Sequence, residues 1–217
     1  MPHRPVTRSI AAAAAAGAVL LGTTGVATTP AAPTSAVASI SKKAGKVGKT
    51  SKVSPRRQSN ADCNDADLLP TAANLGRIRS ATLCLLNKER RAQGRTALSE
   101  HVTLRGAATS YAREMVAGQF FAHDAPSGST MLSRLKRTTY LKAARTWAVG
   151  ENLAWGSGEL ATPRRTVAAW MASPGHKRNI LDGRFRHIGI GIVRGAPVRV
   201  DGDLPAATYV TEFGVRG

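Results

Sequence analysis

The 217 residues carry a formal net charge of +18, but half of this excess lies in residues 1–61, which hold nine Lys or Arg and no acid. Residues 62–217 hold 22 basic and 13 acidic residues, a net of +9, scattered without interleaved aromatic residues. A nucleic-acid-binding surface is typically clustered on one face or one helix, so the composition argues against a specific nucleic-acid partner. It predicts instead an affinity for anionic surfaces such as wall polymers or acidic lipids.

Residues 1–38 have the three parts of a secretory signal peptide. Arg4 and Arg8 precede an apolar run over 10–21, and a small-residue site follows at 36–38. This order predicts export and cleavage, and therefore a secreted, extracellular or wall-associated protein. An uncleaved membrane anchor is the alternative, but the strongly apolar run covers only 12 positions, and a spanning helix needs about 20. We expect no transmembrane domain after cleavage.

Residues 39–61 are predicted to be a disordered basic linker, because they hold seven Lys or Arg, no aromatic residue and few apolar residues. The linker serves either as an electrostatic tether or as a spacer. Residues 62–217 are long enough for one domain with its own core. The two cysteines, Cys63 and Cys84, predict one disulfide formed in an oxidising compartment. A metal or redox pair is the alternative, although no C-x-x-C spacing supports it.

Helices precede strands along the domain. Apolar spacing and end signals predict helices over 72–93, over 100–117 with Ser99 as N-cap, from Ser129 or Thr130 onwards, and from Thr162 with Pro163 at the first helical position. Alternating patterns predict strands over 187–193, where glycines indicate close approach by other backbone, and over 209–213; residues 152–155 are predicted as a third, buried strand. This order favours an α+β fold with an antiparallel sheet.

Three polar residues stand beside apolar or turn sequence: His123, Glu151 and His176. Each alone is more simply explained as a structural residue that is satisfied by a hydrogen bond. Ser173 lies three residues before His176, but its flanks do not form the G-x-S-x-G nucleophile elbow. The segment Ser173-Pro174-Gly175 is better explained as a turn.

Several short motifs in register make the chain resemble a known family. They are Leu86-Asn87-Lys88-Glu89-Arg90, His123, Gly150-Glu151-Asn152-Leu153-Ala154, Trp170-Met171, Ser173-Pro174-Gly175-His176, Ile188-Gly189-Ile190-Gly191, Tyr209-Val210-Thr211 and Phe213-Gly214. In this order, over residues 83–214, they resemble the CAP superfamily of cysteine-rich secretory, antigen 5 and pathogenesis-related proteins, in its bacterial branch. The resemblance implies an α-β-α sandwich whose central antiparallel sheet is flanked by helices.

The resemblance also implies that His123, Glu151 and His176 converge on one cavity. The second glutamate of eukaryotic members aligns near Ser173 and is missing, whereas Glu212 stands where relatives often have Gln and is a candidate to face the cavity. Two imidazoles and one carboxylate are the ligand types of a zinc site, so the set is a candidate for zinc or another divalent cation. A hydrogen-bonded structural cluster is the alternative.

We therefore predict a secreted binding module of the cell envelope rather than an enzyme. Its ligand would be a lipid, a glycan or a wall polymer. Its partner would therefore be an anionic envelope surface or a small amphipathic molecule. The alternative is a metal-assisted extracellular hydrolase of the peptidase or nuclease type. The sequence assigns no catalytic residue.

Overall fold

A computed structural model describes residues 18–22, 63–142, 144–200 and 204–217. The predicted linker and most of the predicted signal peptide lie outside these residues. The described helices are α1 (Leu75–Ala92), α2 (Val102–Gly118), α3 (Met131–Lys136), α4 (Pro163–Ala172) and α5 (Pro174–Leu181). The described strands are β1 (Ala18–Gly22), β2 (Ser99–Glu100), β3 (Trp147–Ser157), β4 (His187–Arg194) and β5 (Ala206–Arg216).

The strands form one sheet in the order β1-β3-β5-β4-β2. The pairs β1–β3, β3–β5 and β5–β4 are antiparallel, whereas the two-residue β2 runs parallel to β4. The sheet is therefore mixed, and the predicted antiparallel arrangement holds for its long strands. β1 lies within the predicted signal peptide. The α+β fold class is confirmed.

Helices cover both faces of the sheet, as the resemblance implied. The main apolar cluster joins α1, α4 and α5 to the side chains of Ile190, Tyr209 and Phe213. On the other face, α2 packs against Leu153 and Val210 in one smaller cluster, and α3 packs with Val149 in a second. Because side chains alternate along a strand, Glu151 and Glu212 point to this second face, towards α2 and α3.

The glycines of β4 allow α2 to lie directly on the sheet. A Cβ on Gly189 would overlap the backbone of Leu104, and one on Gly191 would overlap the backbone of Ala108. This confirms the prediction that the strand is approached closely by other backbone. It also fixes the position of α2, which carries one wall of the site described below.

Two of the predicted helix starts are confirmed and one is wrong. The Thr162 hydroxyl caps α4 by accepting from the amide of Arg165, and the Thr130 hydroxyl caps α3 by accepting from the amide of Ser133. The cap of α2 is His101 rather than Ser99, because Ser99 is taken up by pairing with β4. The His101 side chain accepts from the amide of Thr103 instead.

The predicted turn at Ser173-Pro174-Gly175 is wrong. Pro174 begins α5, and Ser173 is both the C-cap of α4 and the N-cap of α5. Proline is tolerated in the first turn of a helix because the amide there has no intrahelical partner, so the Pro-Gly pair starts a helix here. Cys63 and Cys84 form the predicted disulfide, which joins the start of the described domain to α1. Among the described residues, no helix has the length and apolar character needed to cross a membrane.

Candidate functional site

Glu151 lies at the centre of a buried polar network. It sits in the middle of β3, and its side chain is fully buried. Its Oε1 is 2.7 Å from Nδ1 of His123, and its Oε2 accepts a hydrogen bond of 2.7 Å from Nη2 of Arg134. Both carboxylate oxygens are therefore engaged, one by an imidazole and the other by a guanidinium.

Arg134 is the cation of this network. Its side chain, from α3, is 6% exposed, and its guanidinium carbon lies 3.3 Å from the ring centre of Tyr111. Nη1 donates to the carbonyl oxygens of His123, at 3.1 Å, and Ser129, at 2.9 Å. Nε is buried and meets no acceptor among the described residues. A buried carboxylate requires a partner, and this guanidinium supplies it through a charge-assisted hydrogen bond.

Tyr111 fixes the loop that carries His123. Its hydroxyl lies 2.6 Å from the carbonyl oxygen of Ala122 and 3.0 Å from that of His123. Burial raises the pKa of Tyr111, so the phenol stays protonated and donates to this loop. The side chain of His123 remains 22% exposed, which places this imidazole between the buried network and solvent.

Glu212 is a second buried carboxyl group beside Glu151. The two residues are direct partners in the β3–β5 register, and the Glu212 side chain is fully buried. Its two oxygens meet no hydrogen-bond donor among the described residues. Burial, and next the charge of Glu151, raise the pKa of Glu212 well above its usual range, which favours the protonated carboxyl.

His176 reaches the site from the opposite layer. It lies on α5, which packs with α1 and α4, and its carbonyl oxygen accepts from Asn152. The ring is fully buried, and neither ring nitrogen has a hydrogen-bond partner among the described residues. Burial, and secondarily the charge of His123, lower the pKa of His176 to about 4, so the imidazole is neutral at physiological pH.

The structure thus brings His123 and Glu151 into contact, places Glu212 beside them and leaves His176 without a hydrogen bond to either. In the part of the chain that the structure describes, no three His, Cys, Asp or Glu side chains are placed to hold a metal ion together. Arg134 was missed by sequence reasoning. A buried glutamate needs a cationic partner, but residues 62–217 contain 22 basic residues. No motif next to Arg134 in the sequence distinguishes it from the others.

A groove with a volume of about 460 Å³ runs between α2 and α3 and meets the network at Tyr111 and Arg134. Its α2 wall is formed by small residues at helical spacing, among them Gly106, Ala107 and Ser110. Arg137 and Glu114, both exposed, lie at its margins. Open apolar and hydroxyl surface bordered by charge is the usual character of a small-molecule site.

A second cluster contains His101 and His187, which lie outside the predicted site. The Tyr140 hydroxyl is 3.0 Å from Nδ1 of His187, and the His101 and Tyr140 rings meet edge to face with centroids 4.8 Å apart. Burial lowers the pKa of both histidines. Since His101 also caps α2 and His187 begins β4, this cluster fastens the start of the helix to the sheet.

Comparison with known proteins agrees with the fold. An outer surface protein of Borrelia burgdorferi is similar in structure, with a TM-score of 0.50 and 19% identity over 69% of this chain and 100% of that protein. An extracellular protein with an SCP domain from Bacillus anthracis gives a TM-score of 0.48 and 20% identity over 66% of this chain and 44% of its own. At this identity, the likeness to the Borrelia protein shows the fold alone.

The sequence comparisons show the family. Protein YkwD of Bacillus subtilis is 34% identical over 116 residues, which are 52% of this chain and 42% of YkwD, so the match spans less than half of that relative. The model of the cysteine-rich secretory protein family matches residues 83–211, more than half of the chain. These residues contain Glu151, the side chains that bond to it and the groove beside it. Because the family model matches more than half of the chain, the chain belongs to the CAP family.

Proposed function

We propose that the protein is exported and acts as a binding module of the cell envelope. Its ligand is a small amphipathic molecule with an anionic head, held in the groove between α2 and α3. The observation that carries this proposal is the groove itself, a recess of about 460 Å³ with a small-residue wall and an exposed arginine at its margin.

The groove is open because the facing residues of α2 are small. A Cβ added to Gly106 would meet no atom within 4 Å, although the residue stands inside the helix. Glycine costs a helix interior about 1 kcal/mol relative to alanine, so its presence here is not explained by helix stability. The open space gives an apolar chain room to lie against Ala107 and Tyr111.

The charges at the margin favour an anionic head. Arg137 is exposed, and among the described residues it forms no ion pair, its recorded partner being the hydroxyl of Ser129 at 3.3 Å. The guanidinium is therefore available to a phosphate or a carboxylate, which it matches in geometry. The net charge of +9 over residues 62–217 adds a long-range attraction to anionic envelope components.

The network at Glu151 supports binding rather than turnover. A general base or a nucleophilic carboxylate needs a lone pair that faces the substrate. Both oxygens of Glu151 are already engaged by His123 and Arg134, and the side chain is fully buried. We propose that the network holds the floor of the groove and the His123 loop in place.

The alternative, a metal-assisted hydrolase of the peptidase or nuclease type, draws on His176, whose two ring nitrogens are buried and lack partners among the described residues. The residues nevertheless do not fit a divalent ion as they stand. Arg134 holds Oε2 of Glu151, and the structure's described ranges contain no group of three metal-binding side chains. Turnover of peptide or polynucleotide that requires an added divalent ion and is lost in His176→Ala would favour this alternative.

The binding proposal is tested by filling the groove. Gly106→Leu places a side chain in the open space and improves helix propensity, so the variant should fold at least as well as the wild type. Gly76→Leu is the matched control, because Gly76 also lies in a helix, α1, with no atom within 4 Å of an added Cβ. The probes are lysophosphatidylglycerol and lysophosphatidylcholine, with binding measured by calorimetry in the presence of EDTA.

We expect the wild type and Gly76→Leu to bind lysophosphatidylglycerol alike and to prefer it to lysophosphatidylcholine. Gly106→Leu should bind it at least tenfold more weakly, which corresponds to about 1.4 kcal/mol. Equal binding of lysophosphatidylglycerol by all three proteins would exclude the groove as its binding site. Export is tested separately by the intact mass of the protein from the culture medium, which should begin at Ser39; recovery only from membranes at full length would contradict it.

A further inference from the structure

We propose that Arg134 is the built-in cation of this site and takes the place of the divalent metal for which His123, Glu151 and His176 are a candidate set. The inference concerns the network at Glu151 in the proposed binding module, but it does not depend on what the groove binds. In this proposal the guanidinium of Arg134 occupies the position beside the Glu151 carboxylate that a metal ion would need.

The first step is the position of the guanidinium. Nη2 of Arg134 lies 2.7 Å from Oε2 of Glu151, and Nδ1 of His123 lies 2.7 Å from Oε1. A zinc ion would need a carboxylate oxygen at about 2.0–2.2 Å. Any metal that approaches Oε2 therefore meets the guanidinium, and Glu212 is the direct partner of Glu151 in the β3–β5 register.

The second step is that Arg134 is held in place. Its guanidinium donates to the carbonyl oxygens of His123 and Ser129 and covers the ring of Tyr111 at 3.3 Å, and its side chain is only 6% exposed. Swinging the guanidinium aside would break its hydrogen bonds to these two carbonyls and leave Glu151 without its counter-ion.

The third step concerns the remaining predicted ligand. His176 is carried by α5 on the opposite layer of the sandwich and forms no hydrogen bond with Glu151. Removing the guanidinium, in contrast, would leave a buried carboxylate beside an imidazole and a second carboxyl group. That set lacks a counter-charge and has the donor types that a divalent ion accepts. Since the described side chains are not arranged around a metal position, the ion has to draw them together as it supplies the missing charge.

Zinc binding to the purified full chain tests the inference, with calorimetry for affinity and elemental analysis for stoichiometry. The variants are Arg134→Met, which keeps the length of the side chain and removes its charge, and Arg134→Met combined with His123→Ala. Arg137→Met is the matched control, because Arg137 directly follows α3 but is exposed. His123→Ala alone reports any zinc held at the site in the wild type.

We expect the wild type, Arg137→Met and His123→Ala to have the same weak zinc affinity. Arg134→Met should bind one equivalent at least tenfold more tightly, and the added His123→Ala should abolish this gain. Two results would overturn the inference: wild-type zinc binding that weakens tenfold in His123→Ala, or a folded Arg134→Met with no gain. If Arg134→Met does not fold, the comparison of wild type with His123→Ala decides alone. Groove binding is measured in EDTA, so its failure is distinguished from failure here.

Discussion

Arg90 on α1 and Arg134 on α3 are both buried, and they contrast in what they bond. Arg90 is fully buried, and its three nitrogens donate to the carbonyl oxygens of four residues: Thr96, Ile180, Asp182 and Phe185. Its nitrogens reach no carboxylate oxygen among the described residues. Arg134 shares its donors between two carbonyls and the carboxylate of Glu151, and its Nε has no acceptor there.

The contrast shows how a buried charge can be structural in one place and form a site in another. Arg90 ties α1 to the end of α5 and the segment after it, and burial lowers its pKa. Arg134 instead neutralises a buried acid, covers an aromatic ring and borders a groove. The guanidinium of Arg90 donates only to backbone carbonyls, so this arginine stabilises the fold. Arg134 donates to the Glu151 carboxylate and has one N–H without an acceptor among the described residues, so it can still interact with another group.

The largest effect should come from removing the structural arginine. Arg90→Met removes the side-chain donor of the Thr96, Ile180 and Asp182 carbonyls, and each such loss costs about 1–3 kcal/mol. We expect the free energy of unfolding to fall by about 4 kcal/mol in urea denaturation. Arg91→Met is the control, since Arg91 is exposed and should change stability by less than about 0.5 kcal/mol. Equal stability of both variants would show that the hydrogen bonds of Arg90 to backbone carbonyls do not stabilise the fold.

The next effect depends on pH through His176. Its pKa is lowered to about 4 in the folded state, mainly by burial, while the unfolded chain titrates near 6.5. The unfolded state therefore binds more protons between these values, and the wild type loses stability as the pH falls from 6.5 to 4. Relative to His176→Gln, the loss should total about 3 kcal/mol. A difference that is independent of pH would show that the ring is solvated.

Glu212 should give the opposite slope. Its folded pKa is raised by burial and by Glu151, so above the unfolded value of about 4.3 the folded state holds the extra proton. The wild type then loses stability as the pH rises, by about 1.4 kcal/mol per unit at most, until the folded group also ionises. Glu212→Gln should remove this slope. Parallel stability curves for the two proteins would contradict a raised pKa of Glu212 in the folded state.

The smallest effect concerns the groove side of Arg134. Glu114 is exposed and lines the same groove as Arg137, so its charge would repel the proposed anionic head. Glu114→Gln should tighten the binding of lysophosphatidylglycerol about two- to threefold, because exposed charge interactions amount to about 0.2–1 kcal/mol. Glu89→Gln, in another helix, is the control in the same calorimetric titration. Weaker binding by Glu114→Gln would move the anionic head away from this margin.

The sequence predicted the layers of the fold better than the details of its site. Apolar spacing in α1 and α4 and the alternation in β4 reflect burial, which repeats with each element and is therefore visible in one chain. The failure at α5 came from Pro174-Gly175, a pair that starts a turn or a helix depending on what packs beside it. The pairing of Ser99 with β4, which moved the cap of α2 to His101, depends on contacts far along the chain.

The sequence identified the candidate residues that lie in short motifs and missed the one that only tertiary packing brings to the site. His123 and Glu151 lie in family motifs, and Glu212 faces Glu151 because both belong to paired strands. Arg134 stands 17 residues before Glu151 on a short helix, where a charged residue is normally assumed to face solvent. Only the packing of α3 over β3 turns it inward, and no spacing rule in one sequence records that choice.

The coupling between Arg134 and Glu151 tests the central claim most directly. A double-mutant cycle of Arg134→Met, Glu151→Gln and the combined variant, with unfolding in urea at pH 7, isolates the interaction between guanidinium and carboxylate. The account predicts a coupling of at least about 2 kcal/mol, so that the double variant is more stable than the sum of the single losses implies. A coupling below about 0.5 kcal/mol would show that Arg134 is not the counter-ion of Glu151.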